Sequence, residues 1–103
     1  MVVIREVMHC KPGKVKPMVE KFLAMQKLMD KAGVGKMRVM TDMVADRYWT
    51  IVAEFEAPSL GAFEQMMAGQ GPGADQMKEM DNVMKGYREF VDHGKREIYK
   101  VEG

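Results

Sequence analysis

The first three strand-like segments of the chain carry apolar side chains on both of their alternating faces. In the first segment, one face would carry Val2, Ile4 and Met8, and the other would carry Val3 and Val7. Because successive residues of a strand point to opposite faces, a sheet built from such segments is apolar on both sides. Helical connections with right-handed crossovers lie on one side of such a sheet. The helices of a chain of 103 residues would therefore leave the second side uncovered.

The first half of the chain predicts a strand, a long helix and two further strands. The 2–10 segment reads as a strand that ends at Lys11-Pro12-Gly13. From Lys14 to Ala32 the apolar residues follow helical spacing, and Gly33 supplies a left-handed stop. Lys36 to Ala45 and Arg47 to Ala57 then read as two strands that join near Asp46.

The second half predicts two helices and a final strand. Ser59 is a good N-cap for a short helix, which the glycine-rich stretch from Gly69 to Gly73 ends. A longer helix is expected from Ala74 to His93, and Gly94 closes it. The last strand is expected from Arg96 to Glu102.

This order, βαββ(αα)β, predicts one α+β domain over residues 1–103 with a ferredoxin-like βαββαβ sandwich. The sheet would be four-stranded and antiparallel, with the helices on one face and the second helical connection split into a short and a long helix. A second copy that buries about 800 Å² per chain would cover the other face, so we expect a homodimer. The alternative is that this face is mixed in polarity and stays wet.

Composition excludes several classes of partner. The chain has 16 Lys and Arg against 15 Asp and Glu, mixed along its length, which argues against nucleic-acid and polybasic membrane binding. No apolar run is long enough for a signal peptide or a membrane helix. Cys10 is the single cysteine, so no intramolecular disulfide is expected and a cytoplasmic location is favoured.

Three stretches carry a resemblance to a known group of proteins. They are Lys11-Pro12-Gly13, the 54–60 stretch followed by Phe63, and Glu97-Ile98-Tyr99. The layout resembles the dimeric α/β-barrel superfamily, and is similar to its small antibiotic-biosynthesis-monooxygenase-like and NIPSNAP-like members. The resemblance implies two ferredoxin-like chains whose sheets stack into a barrel around a ligand cavity. Members include cofactor-independent monooxygenases, haem-degrading enzymes and small isomerases, so the resemblance implies a fold and a dimer and leaves the reaction open.

The parity of the third strand selects the residues that would line such a cavity. The row that contains Trp49 is the more apolar and is expected to face the helices. The alternate row, which includes Tyr48 and Glu54, then faces the cavity together with Thr50 and Val52. The first strand is ambiguous, since either Glu6 and Met8, or Arg5, Val7 and His9, would point inward.

Tyr48, Glu54, Glu6 and His9 are therefore the candidate catalytic residues. Burial shifts the ionisation of carboxyl and imidazole groups, which provides bases that work near neutral pH. The competing interpretation is structural: a buried glutamate beside Arg5 or Arg38 would form an ion pair at the interface.

The functional hypothesis is a homodimeric barrel that binds a small apolar or aromatic molecule, with a cofactor-independent monooxygenase or isomerase as its enzymatic form. The alternative is a non-catalytic dimerisation module whose second face only joins two subunits. A third hypothesis, a soft-metal carrier for copper, rests on Met8 and Cys10 and is disfavoured because Gly13 stands where a second thiolate would be needed.

No cofactor and no metal is predicted. The haem-degrading relatives use a helical histidine, and the Ser59–Asp92 stretch contains none. His93 is expected in the last turn of a helix, where the helix dipole favours a cation. His9 and Cys10 are adjacent on a strand and point to opposite faces, so they do not form a nucleophile–base pair. Cys10 is expected to be a small buried apolar residue.

Overall fold

The computed structural model describes residues 1–33, 35–70 and 74–103, apart from the side chains of residues 74, 76 and 77. The elements follow one another as β1 (Val2–Cys10), α1 (Val15–Ala32), β2 (Met37–Thr41), β3 (Thr50–Ala57), α2 (Leu60–Met67), α3 (Ala74–Met84), a 3₁₀ turn (Tyr87–Glu89) and β4 (Val91–Lys100). Residues 71–73 of the expected glycine-rich break lie outside the described residues.

The four strands form one sheet in the order β2-β3-β1-β4, with antiparallel neighbours throughout. This confirms the predicted α+β ferredoxin-like fold, including the split of the second helical connection into a short and a longer helix. In the register, Ile4 lies opposite Phe55 on one side and opposite Ile98 on the other. These three residues therefore share one face of the sheet.

The hydrophobic core lies between that face and the helices. Helix α1 contributes Met18, Phe22 and Met29, which recur at helical spacing and are at most 2% exposed. The sheet contributes Ile4 and Ile51, both fully buried. Burial of each such side chain stabilises the fold by about 1.5–3 kcal/mol. No helix in the described ranges is long and apolar enough to cross a membrane.

The ends of the first two helices follow the sequence signals. Gly33 has a φ of 70°, and its N–H donates to the carbonyls of Met29 and Asp30 at the end of α1. At the start of α2, the Ser59 hydroxyl accepts a hydrogen bond of 3.1 Å from the N–H of Ala62. Both predicted caps are confirmed.

The two central strands are shorter than predicted. β2 ends at Thr41 and β3 begins at Thr50, so the predicted limits Ala45 and Arg47 are wrong. Trp49 has a φ of 62°, a left-handed conformation that a strand does not contain. Asp42 closes the resulting loop, because its carboxylate accepts a 2.9 Å hydrogen bond from the N–H of Thr50.

The last helix is also shorter than predicted, and the last strand is longer. α3 ends at Met84, and Gly86 follows with a φ of 84°. The chain then makes a 3₁₀ turn and enters β4 at Val91, five residues before the predicted start. His93 therefore lies in a strand, and its expected role at a helix end is wrong. The glycine at position 86 is the physical reason, because left-handed backbone ends a helix.

Candidate functional site

The sheet has a second face, opposite the helices, which we call the open face. The register places on it Val3, Arg5, Val7 and His9 of β1, Arg38 and Met40 of β2, Thr50, Val52, Glu54 and Glu56 of β3, and His93, Lys95, Glu97 and Tyr99 of β4. Of the two alternatives that the sequence left open for the first strand, the row with Arg5, Val7 and His9 is the one that faces away from the helices. Thr50, Val52 and Glu54, the residues of the predicted row that lie within β3, face away from the helices as expected, and the cavity that they would line stays a prediction.

A row of alternating charge crosses the middle of the open face. Arg38, Glu54, Arg5 and Glu97 occupy matching positions on the four strands. The Nε of Arg5 donates to Oε1 of Glu54 at 2.7 Å, and this hydrogen bond raises the pKa of Arg5. The Glu54 side chain is 18% exposed. In the single chain, Glu54 is therefore held by Arg5 in an ion pair, as the structural interpretation expects.

Apolar side chains flank the charged row. Val7 is buried, while Val3, Met40 and Val52 are half-buried. Tyr99 is 50% exposed, and the Arg5 guanidinium lies 5.7 Å from the centre of its ring. The open face is thus mixed in polarity. The sequence predicted a more apolar open face than the structure shows, because Met43 and Val44 belong to the loop between β2 and β3 and not to a strand.

Two imidazoles and a guanidinium meet at one end of the open face. The His9 and His93 rings lie 4.8 Å apart between centroids. Nδ1 of His9 is 3.1 Å from the hydroxyl of Thr50, which in turn donates to the carbonyl of Arg47 at 2.9 Å. Nη1 of Arg47 lies 2.8 Å from Nε2 of His93. We call these four residues the imidazole cluster.

The cluster changes the ionisation of its buried member. Burial lowers the pKa of His9, and electrostatic interactions with Arg47, His93 and Lys95 lower it further, while Asp46 acts in the opposite direction. Since an ordinary histidine already loses its proton near pH 6.5, His9 is neutral at pH 7. A neutral imidazole is the form that accepts a proton.

The structure brings two of the four candidate catalytic residues onto the open face. His9 and Glu54 share it, with one row between them. Glu6 lies on the helix side, where it pairs with Arg96, whose guanidinium lies 5.2 Å from the centre of the Phe63 ring. Tyr48 lies in the loop before β3 and is 85% exposed. The catalytic roles of all four residues stay predictions.

Sequence reasoning missed two members of the imidazole cluster. His93 was placed in a helix, although Gly86 within that helix was a signal that it ends earlier. Arg47 was placed in a strand. No pattern in the sequence indicates that the loop folds back and sets the Arg47 guanidinium beside His93. This contact depends on the tertiary structure alone.

Two hollows lie at opposite edges of the sheet. One, of about 1090 Å³, lies beside β2, and its walls include Arg38, Glu54, Phe55 and Phe63. The other, of about 680 Å³, follows β4, and its walls include Met8, Tyr87, His93 and Lys95. Each hollow reaches residues of the open face, and neither includes His9 in its wall. The open face itself is a surface in the single chain.

The described residues that could bind a metal do not converge. Within the described ranges, no three His, Cys, Asp or Glu side chains lie close enough to hold an ion. Cys10 is a free thiol buried in the core, on the opposite face from His9, as predicted. Burial raises the pKa of this thiol, and the nearby Asp42 raises it further.

No family model matches the sequence, and no curated protein matches it. Solved structures do match the fold. A candidate antibiotic biosynthesis monooxygenase from Deinococcus radiodurans is 13% identical with a TM-score of 0.69, over 100% of this chain and 94% of the other. An uncharacterised NIPSNAP-like domain protein from Burkholderia xenovorans is 12% identical with a TM-score of 0.73, over 97% and 84% of the two chains. A conserved protein from Methanosarcina mazei is 16% identical with a TM-score of 0.71, over 98% and 92%. The predicted resemblance to these two kinds of protein is confirmed at the level of the fold.

Proposed function

We propose that the chain forms a homodimer through the open face, and that the dimer encloses a small apolar or aromatic molecule. The observation that carries the proposal is a sheet face opposite the helices that combines half-buried Val3, Met40 and Val52 with a buried His9, whose pKa is lowered, at one end. A second copy would remove these apolar side chains from water, and pockets of this kind join apolar walls to a few polar groups.

The narrower proposal is a cofactor-independent monooxygenase or isomerase. Support comes from His9, which has the protonation state of a general base, and from structural neighbours described as candidate antibiotic biosynthesis monooxygenases. Proton removal from an acidic carbon or hydroxyl is a step that needs no bound cofactor. Glu54, which the ion pair with Arg5 holds in place, would orient the ligand.

Sedimentation velocity at micromolar concentration tests the dimer. We expect the wild-type chain to sediment as a dimer and Val52→Glu, in the centre of the open face, to sediment as a folded monomer. Leu23→Glu is the matched control, because Leu23 is 41% exposed on α1 and away from the open face. Tyr99→Arg, which replaces a half-exposed ring, serves as a second disrupting variant. A wild-type monomer would remove the proposal.

Ligand binding tests the enclosed site. Fluorescence titration with 2-naphthol, a small aromatic probe, should show saturable binding to the wild-type dimer. Glu54→Gln and Tyr48→Phe should each weaken this binding while the dimer survives. Full retention of binding in both variants would remove these two residues from the site.

A non-catalytic dimerisation module is the second candidate. The row of alternating charge favours it, because Glu54 at the centre of the row already pairs with Arg5 and is less available to a ligand. A crystal structure of the dimer separates the two candidates. A ligand-sized void between the paired sheets supports the binding function, whereas close packing of side chains throughout supports the module.

A further inference from the structure

The hydroxyl of Thr50 lies between an imidazole and a backbone carbonyl. Its oxygen is 2.9 Å from the carbonyl oxygen of Arg47 and 3.1 Å from Nδ1 of His9. A carbonyl only accepts hydrogen bonds, and a hydroxyl has a single proton. The Thr50 proton therefore goes to the Arg47 carbonyl, and the hydroxyl oxygen must accept from His9. This assigns a proton to Nδ1 of His9.

The second ring nitrogen follows from the first. A neutral imidazole has one N–H, so a proton on Nδ1 leaves a lone pair on Nε2. Thr50 is 6% exposed and His9 is 9% exposed, so water competes little for the hydrogen bond that holds the tautomer. Among the described residues, Nε2 of His9 has no protein partner, and no buried polar side-chain atom lacks one. Nε2 is therefore an acceptor that solvent or a ligand can reach.

The charges around Nε2 of His9 indicate which kind of group would donate a hydrogen bond or a proton to it. The groups that face His9 are Arg47 and Asp46 from the loop, and His93 and Lys95 from β4. Arg47 also lies 3.9 Å from Asp92, and Lys95 lies 3.6 Å from Glu97, so each cation is partly balanced by a carboxylate, while the interactions of both with His9 still lower its pKa. A positive surrounding disfavours a second proton on His9 and stabilises an anion that forms beside it.

We infer that Thr50 is a positioning residue that holds His9 as a proton acceptor, and that the enclosed ligand carries a weakly acidic hydroxyl group, as a phenol or an enol does. The second part rests on the proposed function. In the step implied, the O–H bond of the ligand breaks and its proton passes to Nε2. The products are an imidazolium and an oxyanion, which the Arg47 and Lys95 charges stabilise. No oxidant or reductant is needed for this transfer.

Nitrogen-15 NMR of the imidazole rings tests the first part without any ligand. At pH 7.5 the wild-type protein should show His9 with its proton on Nδ1. Thr50→Val, which keeps the shape and removes the hydroxyl, should shift His9 toward the Nε2–H tautomer, and Thr50→Ser should retain the wild-type state. A wild-type His9 protonated on Nε2, or a Thr50→Val spectrum equal to the wild type, would overturn the inference. The wild-type spectrum decides even if Thr50→Val does not fold.

A matched pair of probes tests the ligand class. The wild-type dimer should bind 2-naphthol about tenfold more tightly than 2-methoxynaphthalene, which lacks the acidic proton. In His9→Asn and Thr50→Val this ratio should fall toward one. Equal binding of both probes by the wild type would contradict the ligand class and leave the proposed enclosed site standing. Binding of neither probe would contradict both.

Discussion

Gly94 and Met8 lie opposite each other on the helix side of β4 and β1, and the methionine occupies the space that a side chain at Gly94 would need. A Cβ atom at position 94 would lie 2.6 Å from Sδ of Met8 and 3.1 Å from the carbonyl oxygen of Val7. The first distance is far inside van der Waals contact, and the second is tight against backbone that cannot move easily. A side chain at this point of β4 would therefore force Met8 to move and the backbone of Val7 to shift slightly.

Gly94→Ala should lower the free energy of unfolding by about 1–3 kcal/mol, because the added methyl group displaces Met8 and crowds the strand backbone. Urea unfolding measures the change. Gly61→Ala is the matched control, since its Cβ would lie 3.8 Å from the nearest side chain and alanine favours the helix. In a Met8→Ala background the cost of Gly94→Ala should shrink, and an equal cost in both backgrounds would show that the contact with Met8 is not the cause.

Lys21 holds the end of a neighbouring helix. Its ammonium donates to the carbonyls of Val83 and Lys85, each at 2.9 Å, where α3 ends. Lys21→Met keeps the apolar stem and removes both hydrogen bonds, so the free energy of unfolding should fall by about 1 kcal/mol. Lys27→Met, at an exposed position of α1, is the control and should change stability little. Equal effects of the two variants in thermal unfolding would contradict the capping role of Lys21.

His9 should make stability depend on pH in a defined direction. Because its pKa is lowered in the folded state, the unfolded chain binds more protons between the folded pKa and about pH 6.5. Stability from this group is therefore complete above about pH 6.5 and is lost as the pH falls below it. Urea unfolding at a series of pH values from 5 to 8 measures the slope.

His9→Asn is the comparison for that experiment, since an asparagine amide can still donate to the Thr50 hydroxyl but does not titrate. The difference in stability between wild type and variant should be constant above pH 7 and should change in favour of the variant on acidification. A wild-type protein that gains stability relative to His9→Asn as the pH falls would contradict the assigned shift.

Cys10 should be a slow thiol. It is 6% exposed, and burial raises its pKa, so little thiolate exists near neutral pH and little reagent reaches it. Labelling with iodoacetamide at pH 8 should be much slower in native buffer than in 8 M urea. Ala45→Cys places a second thiol at an exposed loop position, and this thiol should react rapidly in the native protein. Native labelling of Cys10 at the rate of the loop thiol would show that the core opens.

Local patterns predicted the fold well where they were strong. The stripe of apolar residues along α1 and the glycine at position 33 placed that helix within one residue of its observed start. The prediction of β3 failed because a tertiary contact replaced the local pattern at its start. The carbonyl of Trp49 accepts a 2.8 Å hydrogen bond from the N–H of Cys10, and the Trp49 backbone is left-handed. β3 therefore begins after Trp49 and is shorter than predicted.

The candidate site was half predictable for the same reason. His9 and Glu54 were named from strand alternation, and their shared face follows from the register of β1 and β3. The sequence could not decide whether Glu6 or His9 faces away from the helices. Both alternating faces of the first strand are apolar, and alternation alone does not say which one packs against the helices. Phe55, the buried partner of Ile4 across the sheet, decides this, and it belongs to another strand.

The sequence by itself determined the order of the elements, the caps of the first two helices and the apolar stripe that builds the core, since these depend on residues a few positions apart. Only the tertiary structure decided which face of β1 is open, where β3 begins, and that Arg47, Thr50 and two histidines meet. The His9–Thr50 and Arg47–His93 contacts join residues 41 and 46 positions apart, whereas the Arg47–Thr50 contact is local. Local periodicity carries no information over the longer separations.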